Sequence, residues 1–306
     1  VYPSFNPRAL GLSLPAAEAI ELAAEAGFPA VDLLVRDLVE RGEPVADLRR
    51  RMDDLGLRGG AWPLPVRWKD DEATYAADLR ALPRLAETAA ALGLLRTGTW
   101  VLPEAPAPGE PHPAGAPSDP EALLAWHLDR LLPIAGILHD HGTRLGLEVI
   151  GVESFRAGRG RPFVCRLGDV SPLLDALDTF VPGAVGIVAD VFHLHAAGEG
   201  LDTALLWGPD RIVWAHVADL PRDAPPDRAA IRDDDRDLPG AAGAVPVARF
   251  LAALARHGYR GPVTPEPLAG CRSLIGLDPR SVAVRTADAL RSVWPGASDQ
   301  ASAVIA

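Results

Sequence analysis

The chain has 306 residues, 48% of them hydrophobic and 23% charged, with a net charge of −11. This composition supports a sizeable buried core and excludes a disordered chain, while a pI near 5.2 excludes a binder of nucleic-acid backbone, which needs a basic footprint. Cys165 and Cys271 stand far apart, which excludes a disulfide framework or a cysteine cluster for zinc and points to a reducing cytoplasm; Val1-Tyr2-Pro3 does not open a signal peptide and no apolar run approaches the ~20 residues that span a bilayer, so no membrane partner is expected.

Strand-like and helix-like segments alternate from end to end. The expected strands are 2–5, 30–35, 57–63, 95–102, 144–150, 184–190, 211–217 and 262–266. Between and after them, helices are expected near 14–26, 45–55, 71–92, from Pro120, 170–180, 201–207, up to Gly258, and 279–293. Asp119-Pro120-Glu121 gives the fourth helix an N-cap and a proline in its first turn. Leu124, Leu128, Leu131, Leu132, Ala135 and Leu138 then fall on one stripe. On the seventh helix Val247, Phe250, Leu251 and Leu254 face inward, and Gly258 stops it. Strands such as Gly186-Ile187-Val188-Ala189 are apolar runs without alternation, as in a parallel sheet covered on both faces. Eight such units predict a single (β/α)₈ TIM barrel over 1–295, with a loose tail over 296–306. An open doubly wound sheet is the weaker reading, because no Gly-x-Gly-x-x-Gly turn follows the first strand. Two long loops, 103–117 and 217–244, follow strands and so belong on the barrel's C-terminal face. The Asp/Arg run 232–237 in the second reads as a solvated charge face.

Four consecutive strands end on an ionisable residue: Glu148, Asp190, His216 and Glu266. Any one alone reads as an ion-pair partner or a satisfied core histidine. On successive staves of a barrel the four side chains converge, and three carboxylates with one imidazole in an apolar mouth call for a cation. An oxygen-rich set with one nitrogen suits Mn²⁺ first, with Mg²⁺ or Co²⁺ as alternatives, rather than a closed structural zinc site.

At these residues the sequence resembles the xylose-isomerase-like TIM-barrel superfamily, the sugar phosphate isomerase/epimerase group. The resemblance is carried by Gly146-Leu-Glu-Val-Ile-Gly151, Ala189-Asp-Val-Phe-His193, His216-Val-Ala-Asp219, Leu238-Pro-Gly240 and Gly258-Tyr-Arg-Gly261-Pro-Val-Thr-Pro-Glu266-Pro267. It implies that Glu148, Asp190, His216 and Glu266 bind the metal, and that Glu148 and Glu266 move a substrate proton. It also implies a homo-oligomer. His193 stands where the family has a substrate-binding histidine, and Arg222 where some epimerases have a substrate arginine. The further family glutamate is replaced by Ser154 with Glu153 beside it, and the usual Gly-Glu-Gly is Gly240-Ala-Ala-Gly243.

The sequence therefore predicts a divalent-metal isomerase or epimerase of a sugar or polyol, working through a cis-enediolate. Glu148 and Glu266 take and return the proton, His193 holds a substrate oxygen, and Asp219 orients His216 or caps the adjacent loop. Trp62 and Trp100 wall a sugar face or pack the core, and Arg156 and Arg161 serve an anionic substituent or simply the surface. Two other enzymatic readings use the same barrel. A lyase would expel a β-substituent from the same enediolate, and an abasic-DNA endonuclease would need more ligands and a basic face. A non-catalytic binding protein would not require all four ligands.

Overall fold

The computed structural model describes residues 1–107, 113, 115–156 and 160–296. The expected tail lies almost wholly outside these residues. Eleven short strands are present: β1 (Tyr2–Pro3), β2 (Ala30–Val31), β3 (Arg58–Gly59), β4 (Trp62–Pro63), β5 (Arg96–Trp100), β6 (Glu104–Ala105), β7 (Arg144–Glu148), β8 (Arg161–Pro162), β9 (Val185–Asp190), β10 (Ile212–Val217) and β11 (Pro262–Pro265). The ten helices are α1 (Ala16–Glu25), α2 (Val35–Glu40), α3 (Val45–Asp54), α4 (Glu72–Ala91), α5 (Pro120–Asp140), α6 (Ser171–Phe180), α7 (Val191–Ala196), α8 (Asp202–Leu205), α9 (Val247–His257) and α10 (Pro279–Val293).

Seven strands form one parallel sheet in the order β1-β11-β10-β9-β7-β5-β4. The fold is thus α/β, with a mostly parallel sheet curled through roughly 230°. Every residue of β9 and β10 is buried, as apolar runs without alternation require. Asp119 caps α5 through its carboxylate and Gly258 ends α9 with φ 91°, as the sequence places them; Asp71 and Asp278 cap α4 and α10 in the same way.

Four details differ from the expected pattern. The third strand is split into β3, paired with β2, and β4, paired with β5. At the break the Asp32 carboxylate accepts the Ala61 N–H at 2.7 Å, so a side chain takes a backbone donor. The segment after Asp190, for which no helix is expected, forms α7, because the Asp190 carboxylate accepts the Phe192 N–H at 2.7 Å and caps a helix. The 103–117 loop contributes β6, which pairs antiparallel with β8. Finally, the run 232–237 is not uniformly solvated: Arg236 and Asp237 are buried.

Inside the sheet, Ala61, Val188 and Trp214 form a small apolar cluster. Two glycines make room for it: a Cβ on Gly98 or Gly146 would meet Val188 Cγ2 at 2.9 or 2.8 Å. Gly146→Ala is therefore expected to destabilise the protein by about 1–3 kcal/mol, as overpacking does. Gly136→Ala in α5, where an added Cβ meets nothing within 4 Å, is expected to stabilise it by about 0.5–1 kcal/mol. Urea unfolding midpoints of the two variants check both signs.

Candidate metal centre

Strand register brings the four strand-end residues together. Asp190 on β9 lies opposite His216 on β10, and His216 opposite Thr264, two residues before Glu266. Glu148 ends β7 opposite Val188. One ligand atom from each of Glu148, Asp190, His216 and Glu266 lies within 4.8 Å of all the others. His216 Nδ1 sits 3.0 Å from Glu148 Oε1 and 3.2 Å from Glu266 Oε2. Three carboxylate oxygens and one imidazole nitrogen at this spacing fit a divalent cation of the oxygen-seeking kind.

The cluster also contains its own positive charge. Burial alone would lower the His216 pKa, but Glu266 and Glu148 beside it hold it well above 6.5. Burial likewise opposes the Asp190 charge, yet Arg236, then His193 and His216, draw its pKa from 3.8 to about 2. Glu266, buried too, is lowered by His216 and Arg236. Arg236 was not singled out in the sequence. Its guanidinium donates to Asp190 Oδ2 at 2.8 Å, to Asp233 Oδ1 at 2.7 Å and to Glu266 Oε2 at 3.3 Å, and lies 4.4 Å over the Phe192 ring.

The remaining expected residues divide. Trp100 lines a cleft of about 720 Å³ together with Glu148, His216, Trp214 and Glu266. His193 is buried behind the cluster, its Nε2 bonded to Arg236 at 3.0 Å and its Nδ1 without a partner. Trp62 is fully buried and does not line the cleft. Glu153 is exposed and faces Arg156 at 3.5 Å, and Arg161 pairs with Asp119. Arg222 is exposed and outside the cluster. Asp219 does not reach His216; its carboxylate accepts the N–H groups of Leu220, Ala242, Gly243 and Val245 and so caps the loop that carries Arg236.

Two further residues went unnoticed in the sequence. The Trp214 ring meets the His216 ring edge-on at 4.4 Å, and its Nε1 donates to Thr264 Oγ1, which donates to buried Asp32. Its place two residues before His216 on one strand was a usable signal, since alternate residues share a face. Lys69 donates to the Trp100 carbonyl at 2.9 Å, with Nζ 3.6 Å from the centroid of that indole. Burial lowers its pKa to about 7 against the opposing pull of Glu148. No motif in the sequence marks it.

With this geometry in view, comparison with known proteins places the chain: it belongs to the family described as xylose isomerase-like TIM barrel, whose model matches residues 20–293. It is 25% identical over 146 residues to the inosose isomerase of Bacillus subtilis (strain 168), 48% of each chain. The matched stretch thus spans about half the length of that relative. Among solved structures it is similar to a xylose isomerase domain protein from Alicyclobacillus acidocaldarius, with a TM-score of 0.80, 26% identity and coverage of 97% of this chain and 99% of the other. The fold is also that of an IOLI protein described with a bound zinc atom, with a TM-score of 0.74, 18% identity and coverage of 96% and 98%.

The raised His216 pKa sets a pH dependence. The fold favours the protonated ring, so in metal-free protein His216 contributes stability that is complete below about pH 6.5 and lost as pH rises through its higher folded value. Thermal unfolding of metal-free protein is expected to show that decline above neutrality. His216→Gln, which carries no titrating ring, is expected to flatten it.

Proposed function

We infer that this chain is a metal-dependent isomerase or epimerase of a sugar or polyol, built on a closed (β/α)₈ barrel and working in the cytoplasm. Closure is supported by backbone hydrogen bonds that continue the sheet past β1: Phe5 N–H to Ala30, Gly60 N–H to Val31 and Leu33 N–H to Ala61. The isomerase reading is supported by the half-length likeness to inosose isomerase and by the acid–imidazole cluster. Both cysteines are free, which suits the cytoplasmic setting.

One observation carries the mechanism. Of the three carboxylates, only the two glutamates face the cleft: Glu148 and Glu266 side chains are 14% and 21% exposed, and Asp190 is 1% exposed. Asp190 is engaged by the Phe192 N–H and by Arg236, so it serves as a fixed ligand rather than a mobile base. Held in the centre, a divalent cation, Mn²⁺ by preference, supplies Lewis-acid polarisation of a carbonyl and its neighbouring hydroxyl. Glu148 and Glu266 flank His216 and stand ready to act on the C–H of the hydroxyl-bearing carbon, one taking its proton to leave a cis-enediolate and the other, in its protonated form, delivering its own proton to that carbon. Against burial, His216 and then Arg236 lower the Glu266 pKa, so it is held as the carboxylate that accepts. Trp100 and Trp214 give the cleft apolar walls against which the C–H face of a sugar packs.

The test is hydrogen exchange. Mn²⁺-loaded enzyme with a panel of ketoses and keto-cyclitols in D₂O is expected to incorporate deuterium at the carbon next to the carbonyl. Glu148→Gln and Glu266→Gln are each expected to slow it by about 10²- to 10⁴-fold, the usual worth of a positioned acid or base. No exchange with any member sinks the reading, and a new ultraviolet-absorbing unsaturated product would assign the chain to a lyase instead. Elemental analysis is expected to find the metal in wild type and to find it lost in Asp190→Ala.

A further inference from the structure

The cleft is lined by two kinds of residue. Glu148, His216 and Glu266 bring the acids and the imidazole, and Asn6, Arg8, Gly11, Leu268 and Ala269 line the same cleft. Among the described residues that line the cleft, Arg8 is the sole Arg or Lys. Among the described residues its guanidinium has no ion pair and no hydrogen bond. Arg8 is exposed, so its donors are open to a ligand. Arg36 and Arg67, by contrast, share Asp78, and Arg236 holds three acids.

The segment that carries Arg8 is braced. Asn6 Oδ1 accepts the Ala9 N–H at 3.1 Å, and Arg8–Leu10 form a 3₁₀ turn. Gly11 closes that turn with φ 76°, and a Cβ there would meet Ala269 at 3.0 Å, so this loop packs directly on the one that follows Glu266. In that second loop Leu268 holds φ 62°, a left-handed conformation costly for a branched side chain. The loop that carries Arg8 and the loop that follows Glu266 are thus packed against each other.

We propose that Arg8 recognises an anionic substituent, a carboxylate or a phosphate, carried by the substrate outside its reacting carbons. A planar guanidinium with all its donors free matches either group with paired charge-assisted hydrogen bonds. Once a cation balances the acids, Arg8 is left among the described lining residues as a charge without a partner, and the ligand supplies one. The inference rests on the cleft being the substrate site of the reaction inferred above. It adds what that reaction leaves open, the charge of the substrate.

Calorimetric binding to the Mn²⁺-loaded enzyme tests it. The probes are D-fructose, D-fructuronate and D-fructose 6-phosphate, and the proteins are wild type, Arg8→Met and Arg8→Lys. Wild type is expected to bind at least one anionic probe about tenfold or more tightly than fructose, the scale of one charge-assisted hydrogen bond. The carboxylate and phosphate arms show which anion is preferred. Arg8→Met is expected to lose that preference with fructose binding unchanged, Arg8→Lys to keep part of it, and added salt to weaken it. No anion preference in wild type overturns the proposal. So does a preference that survives in Arg8→Met, which would seat the anion at the acid cluster. Binding needs no proton transfer, so failure of the deuterium exchange with the anion preference intact would reject the reaction and leave this recognition standing.

Discussion

The structure turns on the cost of gathering three carboxylates at one end of a buried sheet. At separations under 4.8 Å each pair of like charges repels by about 3 kcal/mol or more at an effective dielectric near 20. Cations must therefore be held among them. His216 supplies one from the sheet itself, and Arg236 supplies the other from a loop that folds back over the cluster. Much of that loop exists to aim Arg236. Asp219 gathers four backbone N–H groups, Asp219 and Asp237 exchange backbone hydrogen bonds at 3.0 and 2.7 Å, and the Cys271 thiol donates to Asp237. A carboxylate that touches neither substrate nor metal ligand thereby shapes the charge of the centre.

The same arrangement separates roles among like residues. Asp190 is capped from behind by its own helix and by Arg236, leaving it buried and fixed. Glu148 and Glu266 stand at strand ends and line the cleft. Beneath them the Ala61, Val188 and Trp214 cluster forms an apolar floor. Trp214 links this floor through Thr264 to Asp32, whose carboxyl, raised by burial, also accepts from Ser4 and Ala61. A rigid base under a partly open acid pair is what proton transfer at a fixed carbon demands.

Membership of one family explains the architecture but leaves the substrate to the walls of the cleft. Among the described residues Trp100, with Lys69 over its indole, and the unpaired Arg8 belong to those walls. Glu153 points away from the cleft to Arg156, so the site is not a copy of one with an additional acid at that position.

The sequence by itself determined the alternation of strands and helices, the cap at Asp119 and the stop at Gly258, and the four strand-end residues that meet. These follow from local periodicity and from the rule that parallel strands end on one face, both of which are written along the chain. It did not determine which arginine reaches the centre. Counting forward from His216 selects Arg222, which is exposed, whereas Arg236, four residues before Gly240, is buried. Nor did it show that His193 would sit on a helix behind Arg236, or that Asp32 would interrupt the third strand. Those outcomes depend on side chains meeting across 28 to 46 residues of intervening chain, where the balance of burial against charge pairing is settled only once the loops have closed.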